Sequence, residues 1–142
     1  MPVLGVDHLA LPTAHPEELL AFYKALGFTS PDEAVWRQGR FPIFSIACGD
    51  QKINVHPPGF EAELRGPTAV PGCGDVCFAW DGGLAALLHT LQTAGVAITK
   101  GPVDRVGGRH GGTTQGVSVY VRDPDHNLVE FICYDEAPVS AV

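Results

Sequence analysis

The chain lacks a basic patch. Nine Lys and Arg face 16 Asp and Glu, giving a formal charge of −7, with the acids spread along the sequence rather than massed in a tail. Nucleic acid and anionic membrane surfaces are therefore excluded as partners, since both need clustered cations. No apolar run approaches the roughly 20 residues of a membrane span, and the first residues show no signal-peptide pattern. The four cysteines, Cys48, Cys73, Cys77 and Cys133, include no C-x-x-C pair. They read as reduced thiols of a cytoplasmic protein, with Cys77 and Cys133 as packing residues in apolar strands.

What is present is an ordinary globular composition, 45% apolar and 18% charged over 142 residues, enough for one compact domain or two half-domains sharing a core. Residues 4–11 read as a strand ended by Pro12. A helix follows, with Pro16 in its first turn, Glu17 and Glu18 at the positive end of its dipole, and Gly27 past its end. Leu19, Phe22, Tyr23 and Leu26 recur at helical spacing. Strand-like runs come next at 34–38, 41–48 and 52–57, with Gly49-Asp50 turning the last two into a hairpin.

The Pro- and Gly-rich stretch 58–73 reads as a linker. The order then repeats: a strand at 75–80, a helix marked by Leu84, Leu87, Leu88 and Leu91 and closed by Gly95, and an element beginning at 96–98. A glycine-rich loop at 107–116 leads to strands at 117–121 and 128–132 around the turn Arg122-Asp123-Pro124-Asp125. Each half therefore reads strand, helix, strand, strand, strand. An internal duplication accounts for this, with modules at 4–57 and 74–135 in a single domain spanning 1–142.

Placing the halves in register selects the polar residues. His8 opens the first strand of one half and Asp75 that of the other; Glu130 lies in the last strand of the second half, Asn54 and His56 in that of the first. Asn54 and His56 are two apart and share a face. Imidazole and carboxylate without thiolate suit Fe, Mn, Ni, Co or Zn, and two His with one carboxylate leave positions open for a substrate. The sequence favours His8, His56 and Glu130 as metal ligands, with Asp75 as a fourth ligand or a supporting partner. Glu130 or Asp75 would act as catalytic base. Arg105 and Arg109, in the stretch Arg105–Gly116, read either as a lid offering cations to an anionic substrate or as part of a solvated loop. Trp36 and Tyr120 are candidates to line a substrate cavity.

Three blocks together resemble the vicinal oxygen chelate superfamily: His8-Leu9-Ala10-Leu11, then Phe22-Tyr23 ahead of Leu26-Gly27-Phe28, then the stretch Arg122–Glu130 with its pattern RDPDxNxxE. That family includes glyoxalase I, extradiol dioxygenases, fosfomycin-modifying enzymes and bleomycin-binding proteins. The stretch Lys52–His56 together with Asp75 looks like the glyoxalase-domain-containing-5 type. The resemblance covers residues 4–135 and implies an α+β fold of two βαβββ modules forming a cupped mixed sheet around a divalent metal. It further implies a small-molecule substrate bound through two adjacent oxygens, and a homodimer. Two departures stand out: Asn54 occupies the usual carboxylate position of the first module, and Asp75 the usual histidine position of the second. The expected function is a glyoxalase-I-like lyase or isomerase, or a dioxygenase. The alternatives are a metal-free binding protein of the bleomycin-resistance type and, more loosely, a fosfomycin-type enzyme.

Overall fold

The computed structural model describes residues 1–140. The fold is α+β, with its strands in two small mixed sheets. It divides into two units, Met1–Gly74 with Pro124–His126, and Asp75–Asp123 with Asn127–Val142. Among the described residues no helix is long and apolar enough to cross a membrane.

In the first unit, β1 (His8–Pro12) is followed by α1 (Pro16–Ala25), α2 (Glu33–Arg37), β2 (Phe44–Cys48) and β3 (Gln51–His56). Helix α1 begins with Pro16 and carries Glu17 and Glu18 in its first turn and Lys24 in its last, matching the helix dipole at both ends. Strand β3 is central, parallel to β1 and antiparallel to β2. Period-2 alternation gives one buried face, with Leu11, Phe44, Ile46, Ile53 and Val55 each under a tenth exposed. Leu19, Leu20, Tyr23 and Leu26 of α1 and its C-cap complete this core.

The strand expected at 34–38 is helix α2. Glu33 in its first turn bonds Arg37 one turn on, Nε to Oε2 at 2.9 Å, and also pairs with Lys24. Asp32, just before the helix, accepts hydrogen bonds from Ser45 N and Oγ at 2.8 and 2.9 Å, fixing it against β2. These local and tertiary bonds outweigh the strand propensity of Val35 and Trp36. A single bridge, Thr29 to Ala47, stands in for the missing strand. The first unit is therefore strand, helix, helix, strand, strand.

The second unit holds β4 (Asp75–Ala79), α3 (Leu84–Thr93), β5 (Ile98–Gly107), a short turn α4 (Arg109–Gly112), β6 (Thr114–Arg122) and β7 (Leu128–Cys133), in the sheet order β4-β7-β6-β5. Its core comprises Leu87 and Leu91 of α3 with Phe78, Val117, Val119, Val121, Val129 and Phe131. The glycine-rich stretch is strand at both ends: Arg105 lies inside β5, and residues 108–113 connect it to β6. Gly107 permits this: a Cβ there would overlap the Tyr134 hydroxyl.

The turn after β6 supplies buried carboxylates. Asp123 accepts bonds from Asn127 N and Nδ2 at 3.0 and 2.8 Å. Asp125, in the first unit, accepts the Thr13 hydroxyl on one oxygen and the Ala14 N–H at 2.9 Å on the other. Asp125 is 7% exposed and Thr13 3%. Asp125→Ala leaves these donors buried without that partner, which costs about 1–3 kcal/mol. Asp50→Ala, on the exposed hairpin turn, is expected to stay within about 0.5 kcal/mol of wild type. Urea unfolding midpoints of the two variants check the contrast.

Candidate functional site

Each sheet has a face opposite its core, and strand register determines which side chains share it. In the first unit His8 pairs with Lys52, Ala10 with Asn54 and Pro12 with His56. In the second, Asp75 pairs with Leu128, Cys77 with Glu130 and Ala79 with Ile132. Both pairs of strands are parallel and of matching length. His8 therefore corresponds to Asp75, Asn54 to Glu130, and His56 to Ile132.

This register separates His8 from His56. They lie four residues apart along paired strands, about 13 Å at ~3.3 Å per residue, with side chains standing roughly perpendicular to the sheet. Metal ligands sit about 2 Å from their ion, so the two imidazoles cannot share one. Asn54 is the diagonal neighbour of His8, two residues closer. Among the described residues, no three His, Cys, Asp or Glu side chains form a group that would hold a metal ion.

His8 is half exposed, and its Nδ1 lies 2.7 Å from Asp7 Oδ1. With the proton on Nδ1, Nε2 presents a lone pair, the arrangement commonly used to orient a metal-binding imidazole. His56 is half-buried, and burial lowers its pKa from the ordinary imidazole value.

The second unit gathers more polar groups. Ser118, fully buried, donates from Oγ to Glu130 Oε2 at 2.5 Å. Tyr120 lies opposite Glu130, and its hydroxyl oxygen accepts Arg105 Nε at 2.9 Å. The Arg105 guanidinium lies 5.5 Å from the Tyr120 ring centre. Asp75 is diagonal to Glu130 on the same face, with Cys77 on that face beside both. Loss of hydration, then the Glu130 and Asp75 carboxylates, push the Cys77 thiol up to about 12. Cys77 is thus a protonated thiol among carboxylates, not a core packing residue; Cys133 is buried as expected.

Arg109 lies in the connection after β5, exposed, its guanidinium 4.2 Å from the Tyr134 ring centre. Trp36 is placed differently. It packs on Phe44 at 4.6 Å, on the core side of β2 rather than the face carrying His8 and Asn54. Ser118 escaped selection, although strict alternation along β6 marks it: Val117, Val119 and Val121 point to the core, leaving Gly116, Ser118, Tyr120 and Arg122 on the other face.

Comparison with known proteins gives this arrangement its context. The Glyoxalase/Bleomycin resistance protein/Dioxygenase superfamily matches residues 5–131. Glyoxalase domain-containing protein RDO1 of Mycosarcoma maydis is 34% identical over 137 residues, covering 96% of this chain and 72% of that protein. Virulence protein STM3117 of Salmonella typhimurium is 33% identical over 130 residues, covering 91% of this chain and 83% of that protein. The crystal structure of STM3117 superimposes with a TM-score of 0.81 at 31% identity, covering 94% and 99% of the two chains. At 20% identity the fold is also shared with a lactoylglutathione lyase from Agrobacterium tumefaciens, TM-score 0.65, covering 94% and 96%. It is shared at the same identity with TnmS3, an antibiotic-binding protein from a Streptomyces species, TM-score 0.68, covering 95% and 99%. The chain belongs to the Glyoxalase/Bleomycin resistance protein/Dioxygenase superfamily.

Proposed function

We propose that the protein is a divalent-metal-dependent enzyme that acts on a small molecule through two adjacent oxygens, either as a glyoxalase-I-like lyase or isomerase or as a dioxygenase. The observation that carries this reading is the diagonal carboxylate pair Asp75 and Glu130 on one face of the second unit. Carboxylate oxygens with an imidazole suit Fe, Mn, Ni, Co or Zn, and we assign Asp75 and Glu130 of the second unit as ligands, with His8 as the candidate imidazole. Such an ion, when bound, supplies Lewis-acid polarisation of the substrate oxygens.

The chain's own residues have separate tasks. Ser118 fixes one oxygen of Glu130, which leaves the other for the ion or for a substrate proton, and Asp75 is the second candidate base. Arg105, oriented by the Tyr120 hydroxyl and the Asp104 carbonyl, offers its guanidinium to a negatively charged substrate oxygen. We assign Arg109 the same role from the neighbouring connection.

Asn54 favours a second reading. An amide occupies the position that corresponds to Glu130, and a neutral oxygen is a weak ligand for these ions. A metal-free small-molecule-binding protein would need no carboxylate there. Elemental analysis after incubation with each of the five ions separates the readings. One ion per chain is expected in wild type and His56→Ala, with loss in His8→Ala, Asp75→Ala and Glu130→Ala. Absence of bound metal in wild type would favour the binding protein.

We also infer a homodimer. Strand β1 is an edge of its sheet, and Leu9 on it, with Val3, Leu4 and Val6 before it, is exposed. An unpaired edge bearing exposed apolar side chains favours pairing with another chain. Sedimentation equilibrium is expected to give twice the 15.0 kDa chain mass. Leu4→Glu combined with Leu9→Glu is expected to shift it toward the monomer.

A further inference from the structure

The 58–73 stretch does more than connect. In the first unit its residues Phe60, Leu64, Arg65 and Ala69 wall a cavity of about 130 Å³, together with Pro12 and His56 at the end of the β1–β3 pair. Phe60 meets the His56 ring edge to face at 5.1 Å. The His56 carbonyl accepts the Thr13 N–H at 3.0 Å, which holds that end of β3 in place. Among the described residues, neither ring nitrogen of His56 has a hydrogen-bond partner in the protein.

An imidazole that lines a cavity with no internal partner carries a donor and an acceptor for a ligand. The other walls restrict which ligand. Pro12, Phe60, Leu64 and Ala69 are apolar, and Arg65 is already engaged by an ion pair with Glu61 and a 3.3 Å bond to the Ala62 carbonyl. The cavity's volume of about 130 Å³ suits a small single-ring molecule, and it opens to solvent where Leu64 is 92% exposed. Burial lowers the His56 pKa and so favours the neutral imidazole, and the two charged residues of the wall, Glu61 and Arg65, pair with each other.

We propose that this cavity is a binding site for a neutral, single-ring ligand whose hydroxyl hydrogen-bonds His56. The ring lies against Phe60, Pro12 and Ala69, and the hydroxyl donates to the unprotonated ring nitrogen. The site is independent of the metal reading, because His56 does not share a ligand position with His8.

Phenol is the probe, read by amide chemical shifts of ¹⁵N-labelled full-length protein. Saturable shifts at residues 56–69 are expected, with benzoate binding at least tenfold more weakly. His56→Phe keeps the ring volume but removes the acceptor, and is expected to weaken phenol at least tenfold. Ala69→Leu fills the cavity and is expected to abolish binding, which carries the test should His56→Phe fail to fold. Glu130→Ala is expected to leave phenol binding unchanged while losing metal. Absence of saturable shifts, benzoate binding as tightly as phenol, or wild-type affinity in the folded variants would overturn the proposal. Loss of phenol binding in Glu130→Ala would overturn its independence.

Discussion

The structure depends on the register between the first and last strands of each module. Both pairs run parallel, so neither can close through a short hairpin, and the intervening helix and strands supply the crossover. A slip of one residue would turn Glu130 toward the core and Val129 and Phe131 out, placing a carboxylate among Val119 and Val121. The apolar residues thus enforce the alignment that puts the polar ones on the opposite face. The site is specified by the core behind it.

The same register shows which positions of the two units match in character. Ile53 and Val55 correspond to Val129 and Phe131, all buried. The opposite positions have diverged: Lys52 and Asn54 in one module, Leu128 and Glu130 in the other. Core positions answer to packing, which accepts apolar residues of similar volume, whereas the exposed face answers to a ligand. His56 and Ile132 illustrate this divergence at one corresponding pair. The first lines a cavity in its unit, while the second lies beneath Gly116 and Gly107, where an added Cβ would strike its side chain.

Much of this was legible in the sequence. Helices α1 and α3 announced themselves by spacing and end signals, and the β2–β3 hairpin by Gly49-Asp50, because those cues are local. Helix α2 was not legible, since it depends on Asp32 reaching Ser45 across 13 residues of chain. Arg105 read as a loop residue because glycines normally break strands, yet Gly107 and Gly116 lie in strands because Tyr134 and Ile132 leave no room for a side chain. His56 looked like a ligand by chemistry and parity; only its partner Pro12 shows the distance from His8. The RDPD turn was recognisable as a motif, but Asp123 and Asp125 serve the backbone and Thr13, and Glu130 is the part of that block facing outward.

Asn54 bears most directly on the chemistry. It adds no charge, and the carboxylate pair Asp75 and Glu130 carries −2 by itself. That charge would balance a divalent ion and leave no excess to repel an anionic substrate oxygen. Arg105 fits the same balance. Arg37 and Arg65 are engaged by carboxylates in direct ion pairs, whereas Arg105 is hydrogen-bonded to the Tyr120 hydroxyl and the Asp104 carbonyl and feels Glu130 only through space. A neutral partner keeps that cation available on the face where Glu130 stands. A neutral Asn54 is therefore compatible with the proposed metal chemistry on charge grounds, and the Arg105 guanidinium suits a substrate bearing negative charge on its oxygens.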